Sequence, residues 1–253
     1  MATTKKIAVA GATGRVGRHV VDFLTERGHE AVPISRSHGV NVITGEGLDQ
    51  ALAGVEVIVD AATGPSPEQQ PATEFFVTAA NNLQQAGQRA GVERIIVVSI
   101  INTDRLKGGY SIAKVAHERE TMSGPIPARV LRAAQFHEFV AQLVQWGTQG
   151  DVAHVPVMRT QLVAARTVGE TLADLALDPE SASGPTLEVA GPREESLVEM
   201  AKLLVSRRGE TLRIEGVSDP VDGEANESGV LLPGPGAILA GPTFEQWLDA
   251  TDG

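Results

Sequence analysis

Cysteine is absent from this chain, which removes disulfides, thiolate nucleophiles and cysteine-ligated metals together and suits a reducing compartment. Long apolar runs are absent too. No stretch approaches the length of a membrane span, and MATTKKIAVAGATG has too short an apolar run before its first glycine for a secretory signal. Positive charge is scarce: 21 Lys and Arg stand against 32 Asp and Glu, for a formal charge of -11. Such a surface field repels phosphate backbones and anionic lipids unless basic residues cluster locally. Neither nucleic acid nor membrane is therefore expected as a partner, and a cytoplasmic enzyme or binding protein for a small molecule is the default. His19, His29, His38 and His154 show no spacing resembling a metal site, so no metal is expected. Tyrosine occurs once, at Tyr110, with one of only five lysines, Lys114, four positions later.

What is present is enough to bury a real core: 253 residues, 42% of them hydrophobic. Short β-branched runs alternate with stretches of helical period, the pattern of a parallel sheet with helices on both faces. Strands are expected near 7–10, 30–35, 55–61, 94–100 and 128–133, with helices near 15–28, 47–53, 72–90 and 110–122 between them. Runs such as IIVV are apolar on consecutive positions, as strands covered on both faces should be. Right-handed crossovers then give an α/β doubly wound, Rossmann-type sheet. Residues 1–135 read as this core, and 136–253 as a smaller α/β substrate lobe partly interleaved with it. In the lobe, helices are expected near 136–146, 166–177, 194–208 and at TFEQWLDA, with strands near HVPV, QLVA and 185–191. The segment 216–243, rich in Gly, Pro and Asp, reads as loop.

The first strand runs into GATGRVG. Gly11 permits a tight turn, Gly14 lets the backbone approach a pyrophosphate, and Gly17 allows close packing of helix on strand. Amides at the helix start then face the anion. Gly11, Thr13, Gly14, Arg15, Val16 and Gly17 are accordingly expected to bind a dinucleotide. After the second strand comes ISRSHG, with Ser35 and Arg36 and no acid where NAD binding would place one. Arg36 suits a 2'-phosphate, with Arg15, Arg18 and His38 nearby in sequence pattern, so NADP(H) is favoured over NAD(H).

Ligands in such sheets lie beyond the carboxyl ends of the strands. That rule selects Ala61, Ala62 and Thr63 after the third strand, Ser99 at the end of the fourth, and Ala134 and Gln135 after the fifth. Residues four apart share a helix face, so Tyr110 and Lys114 point the same way. A phenol titrates near 10 in water, and an adjacent ammonium favours its phenolate. Tyr110 can then protonate a carbonyl oxygen as hydride arrives, with Ser99 holding the oxygen and Lys114 bonded also to the nicotinamide ribose. Gln135, Phe136, His137 and Phe139 are expected to line a substrate pocket. His117 reads as a surface residue.

Here the sequence resembles the short-chain dehydrogenase/reductase superfamily, in its atypical NmrA-like branch. The resemblance is carried by GATGRVG at 11–17, NNLQQAGQRAGVERIIVVS at 81–99, YSIAK at 110–114 and LRAAQFHEF at 131–139. It continues through TLEVAGP and LLPGPG to TFEQWL and so spans nearly the whole chain. It implies a Ser-Tyr-Lys triad at Ser99, Tyr110 and Lys114. Ser99 is followed by Ile100 and Ile101 rather than further hydroxyls, and neither Asn81 nor Asn82 falls where the family's catalytic asparagine would. The resemblance implies an NADPH-dependent oxidoreductase acting on a carbonyl, quinone or similar small molecule. It leaves open a non-catalytic NADP(H)-binding sensor, a cofactor-assisted isomerase or dehydratase, and a homodimer.

Overall fold

The structure, a computed structural model, describes residues 4–178 and 184–251. The chain divides into two interleaved compact units: Met1–Ser99, Gly109–Arg132 and Val168–Leu187 in the first, and Ile100–Gly108, Ala133–Thr167 and Glu188–Gly253 in the second.

Strands β1 (Lys6–Ala10), β2 (Glu30–Ile34), β3 (Val57–Asp60), β4 (Arg94–Ile100) and β5 (Ala128–Ala133) alternate with helices α1 (Gly17–Glu26), α2 (Leu48–Ala51), α3 (Gln69–Ala90) and α4 (Gly109–Ser123). These strands belong to a seven-stranded parallel sheet. Its order is Ile238–Leu239, Thr186–Ala190, β5, β4, β3, β1, β2. The chain leaves β1 toward β2 on one side, then returns to build β3, β4 and β5 on the other. The switch point of this doubly wound sheet therefore lies between β1 and β3, whose register runs from Ile7–Val57 to Ala10–Asp60.

The reason for this burial is plain in the strands. Ile7 to Ala10 and all of β3 are buried, as residues covered by helices on both faces must be. On α3, Ala72, Phe76, Ala79, Ala80, Leu83, Ala86 and Gly87 are buried at the three- and four-residue spacing of one helical face. Leu83 and Ala86 join Ala8, Ile34, Ile58 and Ile95 in one hydrophobic cluster, while Ala72 and Phe76 pack with Ala113 and Tyr110 of α4 in another. Buried Gln84 ties α3 to the end of α4: its amide nitrogen donates to the Thr121 carbonyl at 2.7 Å, and its oxygen accepts from the Ile126 amide at 2.8 Å.

In the second unit, α5 (His137–Gly147), the helix Leu197–Arg207 and the helix Phe244–Thr251 share a core with the strand Val152–Pro156. Val140, Val144, Val155, Leu204, Phe244 and Leu248 are among its buried members. Val152–Pro156 is the middle strand of a three-stranded sheet between Arg213–Val217 and Thr148–Gln149. The sequence suggested neither flanking strand. The segment expected as loop, 216–243, also contains a short helix, Gly223–Ser228, and the strand Ile238–Leu239. QLVA forms no extended strand: Val163 makes a single parallel bridge to Phe136. The loop that precedes α4 is held at two points. Asn102, at φ 50, donates its side-chain amide to the Val230 carbonyl at 2.7 Å. The Asp222 carboxylate accepts from the amides of Lys107 and Gly108 at 2.8 and 2.7 Å.

Candidate active site

The glycine loop leaves β1 at the switch point. Gly11 has φ +74, and a Cβ there would lie 2.6 Å from the Ala61 carbonyl oxygen, against the end of β3. A Cβ at Gly17 would lie 2.2 Å from the Gly11 oxygen, so helix α1 meets the loop backbone directly. Gly14 is different in kind. Its Cβ would meet only its own loop, at 3.1 Å from the Gly11 oxygen. Two glycines are thus fixed by packing, and the third leaves the loop's outer face clear for close approach of a ligand. This arrangement fits the pyrophosphate of a dinucleotide. Thr13 and Arg15 are exposed on the loop and Val16 is buried beneath it, at the head of α1.

At the end of β2, the Ser35 hydroxyl bonds to Ser37 Oγ at 2.8 Å and to His38 Nδ1 at 2.7 Å. Arg36 opens a single turn of 3-10 helix there and is exposed. No carboxylate occupies 35–38.

Beyond β3, the Ala61 amide donates to the Ala10 carbonyl at 3.0 Å, and the Ala62 amide to Asp60 Oδ1 at 3.0 Å. Thr63 Oγ1 lies 3.3 Å from the Tyr110 hydroxyl. The phenol at the start of α4 therefore reaches the carboxyl end of β3, beside the residues that Gly11 packs on. Ser99, near the end of β4, is 4% exposed, and its hydroxyl makes no hydrogen bond among the described residues.

Lys114 is 5% exposed and its ammonium is engaged inside the unit. Nζ donates to the Val98 carbonyl at 2.8 Å and to His117 Nδ1 at 2.9 Å, and lies 4.5 Å from the centre of the Phe76 ring. His117 Nε2 in turn contacts Asp60 Oδ2 at 2.9 Å. His117 is therefore no surface residue: it is fully buried, its ring stacked on Phe76 at 4.6 Å. Its seven-residue offset from Tyr110 turns it to the same side of α4, and that side faces β3 and α3 rather than solvent. Burial pushes Lys114 down to about 8, against the pull of Asp60 and Glu118. Burial and the Lys114 charge likewise push His117 below its ordinary value. For Asp60, burial alone would raise the carboxyl. The His117 hydrogen bond, the Ala62 amide and the Lys114 charge outweigh it and hold Asp60 below the usual range. Neither Asp60 nor His117 stood out in the sequence. The available signal was an acid closing a wholly apolar strand, VIVD, which a buried position obliges to find a partner.

The remaining candidates lie in the second unit. The Ala134 amide donates to the Val189 carbonyl at 2.9 Å. Gln135 Oε1 accepts from Thr160 Oγ1 at 2.5 Å, Phe136 bridges Val163, and Phe139 meets Trp146 edge to face. His137 is fully buried, its Nε2 3.1 Å from the Pro242 carbonyl and its ring against Phe244 and Trp247. Burial pushes it down to about 4. Gln135, Phe136 and His137 share the Val163 backbone, whose amide donates to the Gln135 carbonyl and whose carbonyl accepts from the His137 amide, each at 3.0 Å, and the Phe139 amide donates to the Phe136 carbonyl at 3.0 Å, while the side chains of Gln135, His137 and Phe139 lead to different neighbours.

Comparison with known proteins gives the site a setting. Residues 11–134 match the model of a family described as NAD(P)H-binding. The chain is 24% identical over 236 residues to the photosystem II assembly factor Ycf39 of Synechocystis sp. (strain ATCC 27184 / PCC 6803 / Kazusa), covering 84% of this chain and 70% of that protein. It is 30% identical over 128 residues to a 3-beta-hydroxysteroid dehydrogenase of Mycolicibacterium neoaurum, over 42% of this chain and 34% of that one. Among solved structures, the Bordetella bronchiseptica enzyme WbmG in complex with NAD superposes with a TM-score of 0.71 at 16% identity, covering 98% of this chain and 95% of that one.

Proposed function

We propose that the protein is an NADPH-dependent oxidoreductase on the atypical, NmrA-like side of the short-chain dehydrogenase/reductase superfamily, a reading supported by the match of residues 11–134 to an NAD(P)H-binding family. Its substrate is a carbonyl, a quinone or a similar conjugated group on a small organic molecule. The observation that carries this reading is the 3.3 Å approach of the Tyr110 hydroxyl to Thr63, which brings the chain's one phenol to the crevice beside the glycine loop.

The loop at 11–17 would hold the pyrophosphate through its backbone, and Arg36 would bind the 2'-phosphate. When bound, the nicotinamide supplies a hydride to the substrate carbon. Tyr110 gives its proton to the substrate oxygen, so that a carbonyl becomes an alcohol. The Ser99 hydroxyl, which no described residue engages, bonds the same oxygen and orients it. Lys114 places positive charge one turn along α4, on the side of the helix that carries Tyr110. The substrate-lining role of Gln135, Phe136, His137 and Phe139 belongs to this same reading.

Replacing Tyr110 with Phe should lower NADPH oxidation across a carbonyl and quinone panel by about 100-fold or more, with NADPH affinity retained. Unchanged turnover would remove Tyr110 from the chemistry. For cofactor choice, Arg36→Ala should weaken NADPH about tenfold and leave NADH as it was, since one charge-assisted contact is lost. Equal effects on both cofactors would mean that Arg36 does not read the phosphate.

A second reading has its own support. The relative matching most of this chain is named an assembly factor, and Lys114 already spends its ammonium on Val98 and His117. Under it the protein binds NADP(H) without turnover and passes its occupancy to a partner. NADPH binding with no oxidation of any panel member by the unaltered protein would favour that reading.

A further inference from the structure

We propose that Asp60 and His117 are positioning residues: through a buried hydrogen-bonded chain they hold the ammonium of Lys114 charged and fixed in direction one turn beyond Tyr110. An ammonium can only donate, so His117 Nδ1 accepts from Lys114 at 2.9 Å and the imidazole proton sits on Nε2. That proton is donated to Asp60 Oδ2 at 2.9 Å, and the other carboxylate oxygen accepts from the Ala62 amide at 3.0 Å. The chain thus runs from ammonium through a neutral imidazole to carboxylate, with polarity set at every step. Its members are 5%, 0% and 1% exposed, and Phe76 closes the side by lying under both the ammonium and the imidazole.

Stability does not call for such an arrangement. Apolar residues of similar volume serve a core as well or better, because two charges taken out of water must recover their desolvation cost. What the chain achieves is direction. With Val98 and His117 each taking one N–H, the lysine cannot swing, and α4 carries Tyr110 in fixed relation to it. The groups facing Lys114 are few. Asp60 comes from β3, His117 and Glu118 from α4, and the Val98 carbonyl from β4. α3 offers only the Phe76 ring, and Tyr110 precedes by one turn. Glu118 also pulls on Lys114 but is paired with Arg132, at 2.7 Å, and Asp60 is the anion that answers Lys114 through the hydrogen-bonded chain. The purpose of this chain rests on the reductase reading, but its existence can be tested without turnover.

The test follows the 13Cε resonance of lysine-labelled full-length protein against pH, with Lys114 assigned by its absence in Lys114→Met. In the unaltered protein Lys114 should titrate near the value of about 8 that burial gives it. In Asp60→Asn the midpoint should fall by about one pH unit, a tenfold change in acidity. His117→Gln, whose amide can accept from the lysine and donate to the carboxylate, should stay near the unaltered value. His117→Leu should follow Asp60→Asn and carries the same test should Asp60→Asn not fold. An unmoved midpoint in folded Asp60→Asn or His117→Leu overturns the proposal. Where NADPH oxidation is measurable, its high-pH limb should shift down in step, and a limb that stays in place also overturns it. A protein with no turnover in which Lys114 still titrates as described would sink the reductase reading alone.

Discussion

Phe76 serves four neighbours with one ring: Phe75 and Tyr110 meet it edge to face at 5.7 and 5.8 Å, His117 stacks on it, and the Lys114 ammonium lies over it. Removing it takes away a fully buried side chain and unroofs two polar groups at once. Phe76→Ala should cost about 3–5 kcal/mol in unfolding free energy, and circular dichroism across a urea series will measure it. Phe76→Leu keeps most of the volume and should cost clearly less, leaving the lost ring contacts exposed as a separate effect. His137 gives a different kind of residue-level prediction. Its pKa is lowered on folding, so between about pH 6.5 and about 4 the unfolded chain takes up a proton that the folded chain refuses. Stability should therefore fall with pH through that window, by about 3 kcal/mol from this group. His117 adds a loss of the same sign. His137→Phe should flatten the decline, read as a smaller drop in urea midpoint between pH 6.5 and 4.

At the scale of elements, the glycine loop separates packing from binding. Gly17→Ala drives a methyl into the Gly11 carbonyl and should destabilise the protein by several degrees in Tm, together with losing the cofactor. Gly14→Ala meets only its own loop, at a distance that a small shift relieves. Under the proposed function, it should leave Tm nearly unchanged while weakening NADPH about tenfold or more in a fluorescence titration, because the methyl would stand where the proposed ligand approaches. The elements themselves were unequally legible in the sequence. β1, β3 and the middle of β4 announce themselves because covering on both faces makes them continuously apolar, whereas β2, the EAVPI edge strand, and β5, which reads ARVLRA, show only short apolar stretches. Arg213–Val217 does not announce itself, because it is a partly exposed edge strand whose RIEGV mixes charge and glycine with its few apolar residues. Gly223–Ser228 is a six-residue helix of GEANES, with no apolar period to read. At the site, the glycine loop and YSIAK have spacing that points to chemistry. Asp60 and His117 lie 57 positions apart, and only the sheet brings them together.

The whole chain carries a -11 charge, and no helix among the described residues is long and apolar enough to cross a membrane. Its two compact units are each built from three separate stretches, so the chain passes repeatedly from one to the other. The natural chromophores divide between the two units. The one tyrosine belongs to the first unit, and both tryptophans, Trp146 and Trp247, belong to the second. Tryptophan emission, excited at the red edge where the phenol does not absorb, is therefore an intrinsic label for the second unit, and far-ultraviolet circular dichroism reads the helices of both. Recorded together during a single denaturant titration, the two signals should trace coincident curves if the protein unfolds as one cooperative body, and diverge if either unit can melt while its neighbour holds.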